Sequence, residues 1–291
     1  MKLAAASCAK LADVNPQQAW VELLQERPDV LLLLGDNIYL QNDLHTDATA
    51  LAAELRQRYA EQSADPGFAA LVADVQACGG VVAAIYDDHD FLGNDRCGGD
   101  EALALRMAAR AELVRAFSPA MTGDEVYSVQ RIGPVDLVVL DGRFYRRSIE
   151  GSVIDRNAML GAAQWAWLEQ VVAAATAPYL LLASATTLHN FGHQSWEHYP
   201  AAFERMTTLL RGRTGALLLS GDLHANAVYD DSGVIEIVSS AVARRGVKFK
   251  ALRQNYALLD FADDALHVEL RSLKVGSRFD FSIPLGHWAL P

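Results

Sequence analysis

The 291-residue chain is 51% hydrophobic and 21% charged, a balance that excludes a disordered, collagenous or repeat-only protein. Lys and Arg number 25 against 36 Asp and Glu, a formal net charge of −11. A broad nucleic-acid or anionic-membrane surface needs a net basic face, so neither is expected. Three cysteines, Cys8, Cys78 and Cys97, are too few and odd in number for a disulfide framework. No stretch approaches the length of a membrane span. The opening MKLAAASC is too short for a signal peptide, so a cytoplasmic location is expected.

In chain order, Leu3 to Ser7 is a small apolar run, and Asn15-Pro16 opens a helix through Leu24. Val30 to Leu34 is continuously apolar and stops at Gly35-Asp36, as a buried strand entering a loop does. Thr49 to Gln62 is helical, with Leu51, Leu55 and Tyr59 four apart on one face. Val81 to Tyr86 is a second buried strand, and Ala102 to Phe117 a helix stopped by Ser118-Pro119. Strands follow at Val135 to Leu140, Tyr179 to Ala183 and Ala216 to Leu219, separated by helices at Ala158 to Ala175 and Ala201 to Leu210. Two hairpins close the chain: Val228-Tyr229 with Val234 to Val238, and Tyr256 to Phe261 with Leu266 to Leu270. No linker, repeat or low-complexity segment interrupts this, so residues 1–291 read as one α/β domain whose sheet gains antiparallel strands toward the C-terminus.

In open α/β sheets ligands collect beyond the carboxyl ends of the strands. Here those ends carry Cys8; Asp36 and Tyr39; Asp88 and His89; Asp141 and Arg143; Asp222 and His224. That is a metal-site composition. Thiolate, phenolate and imidazole from Cys8, Tyr39 and His224 suit a Lewis-acidic transition ion, ferric iron before zinc. Carboxylates from Asp88 and Asp222, with Asp36 shared, suit a hard ion such as calcium, magnesium or manganese. Each residue also has a plainer reading. Cys8 could be a small buried hydrophobe, Gly35-Asp36 a turn, Tyr39 packing, Asp87, Asp88 and Asp90 helix caps, and His89 a core histidine. Arg143 could pair with Asp141 or Glu150 rather than bind phosphate oxygens. The chain has no Gly-rich phosphate loop, nucleophile elbow or two-His zinc helix motif.

The ordered segments Ala6-Ser7-Cys8, Gly35-Asp36-Asn37-Ile38-Tyr39, Tyr86-Asp87-Asp88-His89-Asp90 with Asn94-Asp95, and Leu140-Asp141-Gly142-Arg143-Phe144-Tyr145-Arg146 continue through Leu160-Gly161, Gln164-Trp165, Ser195-Trp196 and Tyr199-Pro200. They end at Ser220-Gly221-Asp222-Leu223-His224. Together they resemble the alkaline phosphatase D (PhoD-like) family of the calcineurin-like metallophosphoesterase superfamily, over residues 3–226. The resemblance implies a two-sheet αββα sandwich with a dinuclear metal site at the strand C-terminal edge. It implies iron (Fe3+) on Cys8, Asp36, Tyr39 and His224 and calcium (Ca2+) on Asp36, Asp88 and Asp222, with Mn2+, Mg2+ and Zn2+ as alternatives. His89 would face the leaving group. Family members are commonly exported behind a twin-arginine signal and an N-terminal β domain, and this chain is expected to have neither. A further superfamily ligand follows the strand at Tyr179 to Ala183, where His189 and Asn190 are the candidates.

The function so implied is a metal-dependent phosphoesterase, a phosphodiesterase or broad alkaline phosphatase acting on a small phosphate ester. A metal-activated hydroxide attacks phosphorus, Arg143 steadies the charge and His89 is the general acid. Arg143, Asn190 and Tyr199 are the expected substrate-binding residues, with His193 and Trp196 as possible lining. Arg244-Arg245 with Lys248 and Lys250 is a solvated basic stretch or a lure for a phosphate ester. Two alternatives stand: a catalytically silent metal-binding scaffold recognising a phosphorylated ligand, and a non-phosphate hydrolase on the same site.

Overall fold

A computed structural model describes residues 1–117, 125–149, 154–190, 194–244, 254–273 and 276–291. The first half of the chain runs β1 (Lys2–Ala6), α1 (Gln18–Glu26), β2 (Val30–Leu34), α2 (Ala48–Ser63), α3 (Pro66–Ala77), β3 (Val81–Ile85) and α4 (Leu103–Phe117). The second runs β4 (Ser128–Ile132), β5 (Val135–Val139), α5 (Gly161–Ala174), β6 (Tyr179–Ser184), α6 (Pro200–Leu210) and β7 (Ala216–Ser220). It finishes with β8 (Ala227–Tyr229), β9 (Ile235–Val238), β10 (Asn255–Phe261), β11 (Ala265–Ser272) and β12 (Gly276–Pro284).

These strands form two six-stranded sheets rather than the one growing sheet read from the strand pattern, ordered β12-β11-β10-β1-β2-β3 and β4-β5-β6-β7-β9-β8. The two-sheet expectation drawn from the family resemblance is the arrangement found. In the first sheet β1, β2 and β3 are parallel, and β10 returns antiparallel to β1 with Leu3 opposite Leu259. In the second, β5, β6, β7 and β9 are parallel. The β8–β9 pair is the expected hairpin, but β10–β11 joins the first sheet instead of extending the second.

The continuous apolar runs are now accounted for, because a parallel strand covered on both faces needs no polar side. Along the second sheet the side chains sort with period two. Val135, Leu137, Val139, Tyr179, Leu181, Leu217 and Leu219 belong to a core that also holds Leu3, Leu31, Leu33, Leu258 and Val268 of the first sheet. Their neighbours Val138, Leu180, Leu182 and Leu218 pack with Trp165 and Leu168 of α5 and Met206 of α6. Helix α3 was not separated in the sequence reading, yet its start is well marked. Asp65 accepts hydrogen bonds from the Gly67 and Phe68 amides, with Pro66 in the first turn.

Two glycines let the loops of the two sheets touch. Gly35 has φ +84°, and a Cβ there would lie 2.7 Å from Asp87 Cβ and 2.9 Å from Ala185 Cβ. A Cβ on Gly221 would lie 2.7 Å from both Leu34 O and Ser7 Oγ. Side chains at these two positions would push the rim of one sheet off the other.

Leu181 is fully buried between the sheets. Leu181→Ala is expected to cost about 2–5 kcal/mol of folding stability, read from the shift of a urea unfolding midpoint at constant slope.

Candidate metal centre

Strands β1, β2 and β7 end in sharp turns at this shared rim. Cys8 (φ 58°), Asp36 (φ 52°), Asp222 (φ 61°) and His224 (φ 53°) all occupy the left-handed region without being glycine. Such residues are uncommon and concentrate where the surrounding structure holds them for a purpose. Four on one rim, from both sheets, is a local conformational cost that the fold sustains.

The side chains converge on Asp36. Its Oδ2 accepts from the Tyr39 hydroxyl at 2.8 Å and from the Cys8 thiol at 3.4 Å. Ligand atoms of Cys8, Asp36 and His224 lie within 4.8 Å of one another, and so do those of Asp36, Asp88 and His89. One carboxylate therefore belongs to two donor groups, and its two oxygens allow it to bridge. Asp222 stands outside both groups at that distance, yet its charge is felt by Cys8 and Arg143.

A second layer holds these residues in place. The Asp90 carboxylate, fully buried, accepts from the backbone amides of Asp36 (3.1 Å), Asn37 (2.9 Å) and Asp87 (2.7 Å) and from Asn37 Nδ2 (2.7 Å). It ties the loop after β2 to the loop after β3. Ser240 Oγ donates to Cys8 Sγ at 3.1 Å and accepts from the His224 amide at 3.0 Å, linking the two sheets' ligands. Asp141 accepts from the Arg143 and Phe144 amides and from the Tyr86 hydroxyl, so it shapes a loop and is not a ligand. Sequence reasoning missed Asp90 and Ser240 in these roles. For Asp90 a signal was present, as one of the two acids of the Asp87-Asp88-His89-Asp90 run with no metal task.

Crowding of acids in a buried rim governs the electrostatics. Burial, then the charges of Cys8 and Asp88, raises the Asp36 carboxyl well above its usual range. Burial, then Asp87 and Asp88, lifts Asp222 to about 7. Burial raises the Cys8 thiol to about 11 against hydrogen bonds from Ser240 and Ser7. Asp88 goes the other way: burial disfavours its charge, but Arg143, His89 and the Asp95 amide outweigh that and hold it at about 2. Burial also lowers the His89 imidazole, with Asp88 and Asp43 acting against it.

The Arg143 guanidinium does not pair with Asp141, and Glu150 lies outside the described residues. Arg143 Nε donates to Asp87 at 2.5 Å and its Nη2 lies 3.8 Å from Asp88, while the buried Nη1 has no hydrogen-bond partner among the described residues. His89 stacks on Tyr39 with ring centroids 4.3 Å apart. Asn190 is half-buried at φ 86°. Three expectations are corrected. Tyr199 is fully buried, accepting from Arg146 Nε and donating to the Arg147 carbonyl, so it packs and does not meet substrate. Trp196 is equally buried, its indole donating to Ser184. His189 is held by Glu236 (2.9 Å) and Ser232 (3.0 Å), which occupies both ring nitrogens. His193, Arg245, Lys248 and Lys250 lie outside the described residues. Arg244 is described, 4.8 Å over the Tyr39 ring and 3.2 Å from Asp13. All three cysteines are free, where their odd number required only that at least one be.

A family model of PhoD-like phosphatases matches residues 3–273. The chain belongs to this family. A solved structure of PhoD superposes with a TM-score of 0.77 at 19% identity, over 98% of this chain and 69% of that one. A dimetal phosphatase from Danio rerio gives 0.58 at 16% identity, over 98% and 99% of the two chains. GAP50, described as the anchor in the inner membrane complex of Plasmodium, gives 0.57 at 12%, over 98% and 88%. No curated protein matches. This PhoD-like phosphatase is a phosphoric ester hydrolase, and its rim has the donors a metal site requires: a thiol, a phenol, an imidazole and buried carboxylates that a cation would neutralise. No described helix is long and apolar enough to cross a membrane.

Asp90→Ala should lower metal affinity about 10–100-fold without removing a ligand, measured by metal titration of the purified protein.

Proposed function

We propose that this phosphatase works through a split dinuclear centre and hydrolyses phosphodiesters or a broad range of phosphate esters, with residues 1–291 acting as one catalytic unit. The observation that carries this reading is the Asp36 carboxylate, common to both donor groups. Cys8, Tyr39 and His224 would hold iron with Asp36, and Asp88 and Asp222 would hold calcium with it; thiolate and phenolate favour the former, all-oxygen donors the latter. Bound there, the metals would supply Lewis acidity and a water acidic enough to serve as nucleophile near neutral pH.

The chain's own groups do the rest. Arg143 keeps Asp88 ionised from one edge of its guanidinium, and its unpartnered Nη1 is free to bind a phosphate oxygen. Asn190 is left as the second substrate-facing residue. His89 protonates the leaving oxygen: its ring is only partly buried, and its lowered proton affinity makes it a stronger acid when charged. The 4.8 Å grouping with Asp36 and Asp88 also suits a second reading, His89 as a metal ligand. The scaffold alternative is disfavoured because both the shared acid and His89 are intact.

Elemental analysis after expression with iron and calcium should find about two metals per chain, one of them iron, with a visible band lost in Tyr39→Phe. Two divalent ions and no iron would remove Cys8 and Tyr39 from the ligand set. Asp36→Ala should lose metal and turnover together; retention of both metals would overturn the bridging role. His89→Ala should keep both metals while turnover on an ester with a poor leaving group drops about 10²–10⁴-fold. Loss of one metal instead would make His89 a ligand.

A further inference from the structure

Beside the metal centre, and outside the donor set, lies a cavity of about 600 Å³ lined by Lys10, Asn15, Tyr39, Gln41, Asp43 and Arg58 among others. That is the size of a small-molecule site. Tyr39 is its shared wall: the phenol reaches Asp36, while the ring stacks on His89 at 4.3 Å. His89 does not itself line the cavity but abuts it: its carbonyl accepts from the amide of Leu40, a lining residue, at 3.3 Å.

The charges around the cavity are unequal in their freedom. Arg58 is bound to Glu61 at 2.6 Å and stands 3.7 Å from Glu54. Arg244, over the same Tyr39 ring, is held by Asp13. Of the two acids in the lining, Glu61 is taken by Arg58 and Asp43 is the opposing one; a Cβ on Gly93, in the loop that follows His89, would lie 2.6 Å from Asp43 Cβ, which places Asp43 toward the catalytic end. Lys10 is different. Its ammonium sits 5.3 Å over the Tyr39 ring and has no hydrogen bond or ion pair among the described residues.

We infer that this cavity receives the leaving alcohol of the phosphate ester and that Lys10 reads a negative charge on that alcohol. The favoured substrates are then esters whose leaving group carries a second anion, a carboxylate or another phosphate. Lys10 is a specificity residue here and takes no part in bond breaking. The inference rests on the phosphoesterase reading and on His89 lying on the leaving-group side.

The test compares 4-carboxyphenyl phosphate with 4-carbamoylphenyl phosphate, which have similar shape and differ by one charge. The metal-loaded wild-type enzyme should favour the carboxylate ester in kcat/KM, and that preference should shrink as salt rises. Lys10→Ala should lower the carboxylate-to-carbamoyl ratio about fivefold, the scale of one partly exposed charge pair, and Lys10→Glu should lower it further. Lys10→Arg should retain it. Because the readout is a ratio within each variant, a general loss of folded enzyme does not imitate it. An unchanged ratio in Lys10→Ala and Lys10→Glu would overturn the assignment while leaving the phosphoesterase intact. If only diesters turn over, the same ratio is read on methyl 4-carboxyphenyl phosphate and methyl 4-carbamoylphenyl phosphate; hydrolysis of neither pair by metal-loaded wild type would overturn the parent reading itself.

Discussion

A carboxylate withdrawn from water needs a proton, a cation or several hydrogen-bond donors, and acids brought together compete for all three. The rim of this protein is organised around that competition. Asp36, Asp87, Asp88, Asp90 and Asp141 are all buried there. Each takes a different way out. Asp141 accepts backbone amides and a phenol, Asp90 accepts three amides, Asp87 holds the Arg143 guanidinium, and Asp88 shares that arginine's field. Among the described residues Asp36 receives a phenol, a thiol and one long backbone contact, and otherwise meets another acid, Asp88. It is the least compensated of the group, and it is the residue on which the two ligand sets meet.

The fold supplies this crowding by pressing two sheets together at the carboxyl ends of their strands. Period-two burial in β5, β6 and β7 gives each strand one face for the opposite sheet and one for helices α5 and α6. With both faces occupied, function is left to the strand ends. The bare backbones of Gly35 and Gly221 allow the final approach, and Asp90 and Ser240 stitch the resulting loops.

Much of this was legible in the chain. Short apolar runs stopping at polar residues, twice at Gly-Asp, located the parallel strands, and the chemistry of Cys8, Asp36, Tyr39, Asp88, Asp222 and His224 marked the rim. The division into two sheets was not legible from periodicity, because strand pairing is a long-range choice that buried runs do not encode. It came only with the family resemblance. Tyr199 and His189 misled for a related reason: a polar side chain near a motif looks available until its partners, here Arg146 and Glu236, arrive from elsewhere in the chain. The partners of Arg143 were hidden likewise, since Asp87 lies 56 residues upstream.

The position of β1 also bears on how the protein comes to be made. It lies between β2 and β10, so one of its edges stays open until residues 255–261 exist, and the donors grouped with Cys8 include His224. A chain emerging from the ribosome has Asp36 and Tyr39 soon after its first thiol but waits more than two hundred residues for His224. Completion of the centre thereby waits until most of the chain has been made, and the open edge of β1 and its thiol become the part of the nascent chain most in need of shelter from oxidants and stray metals.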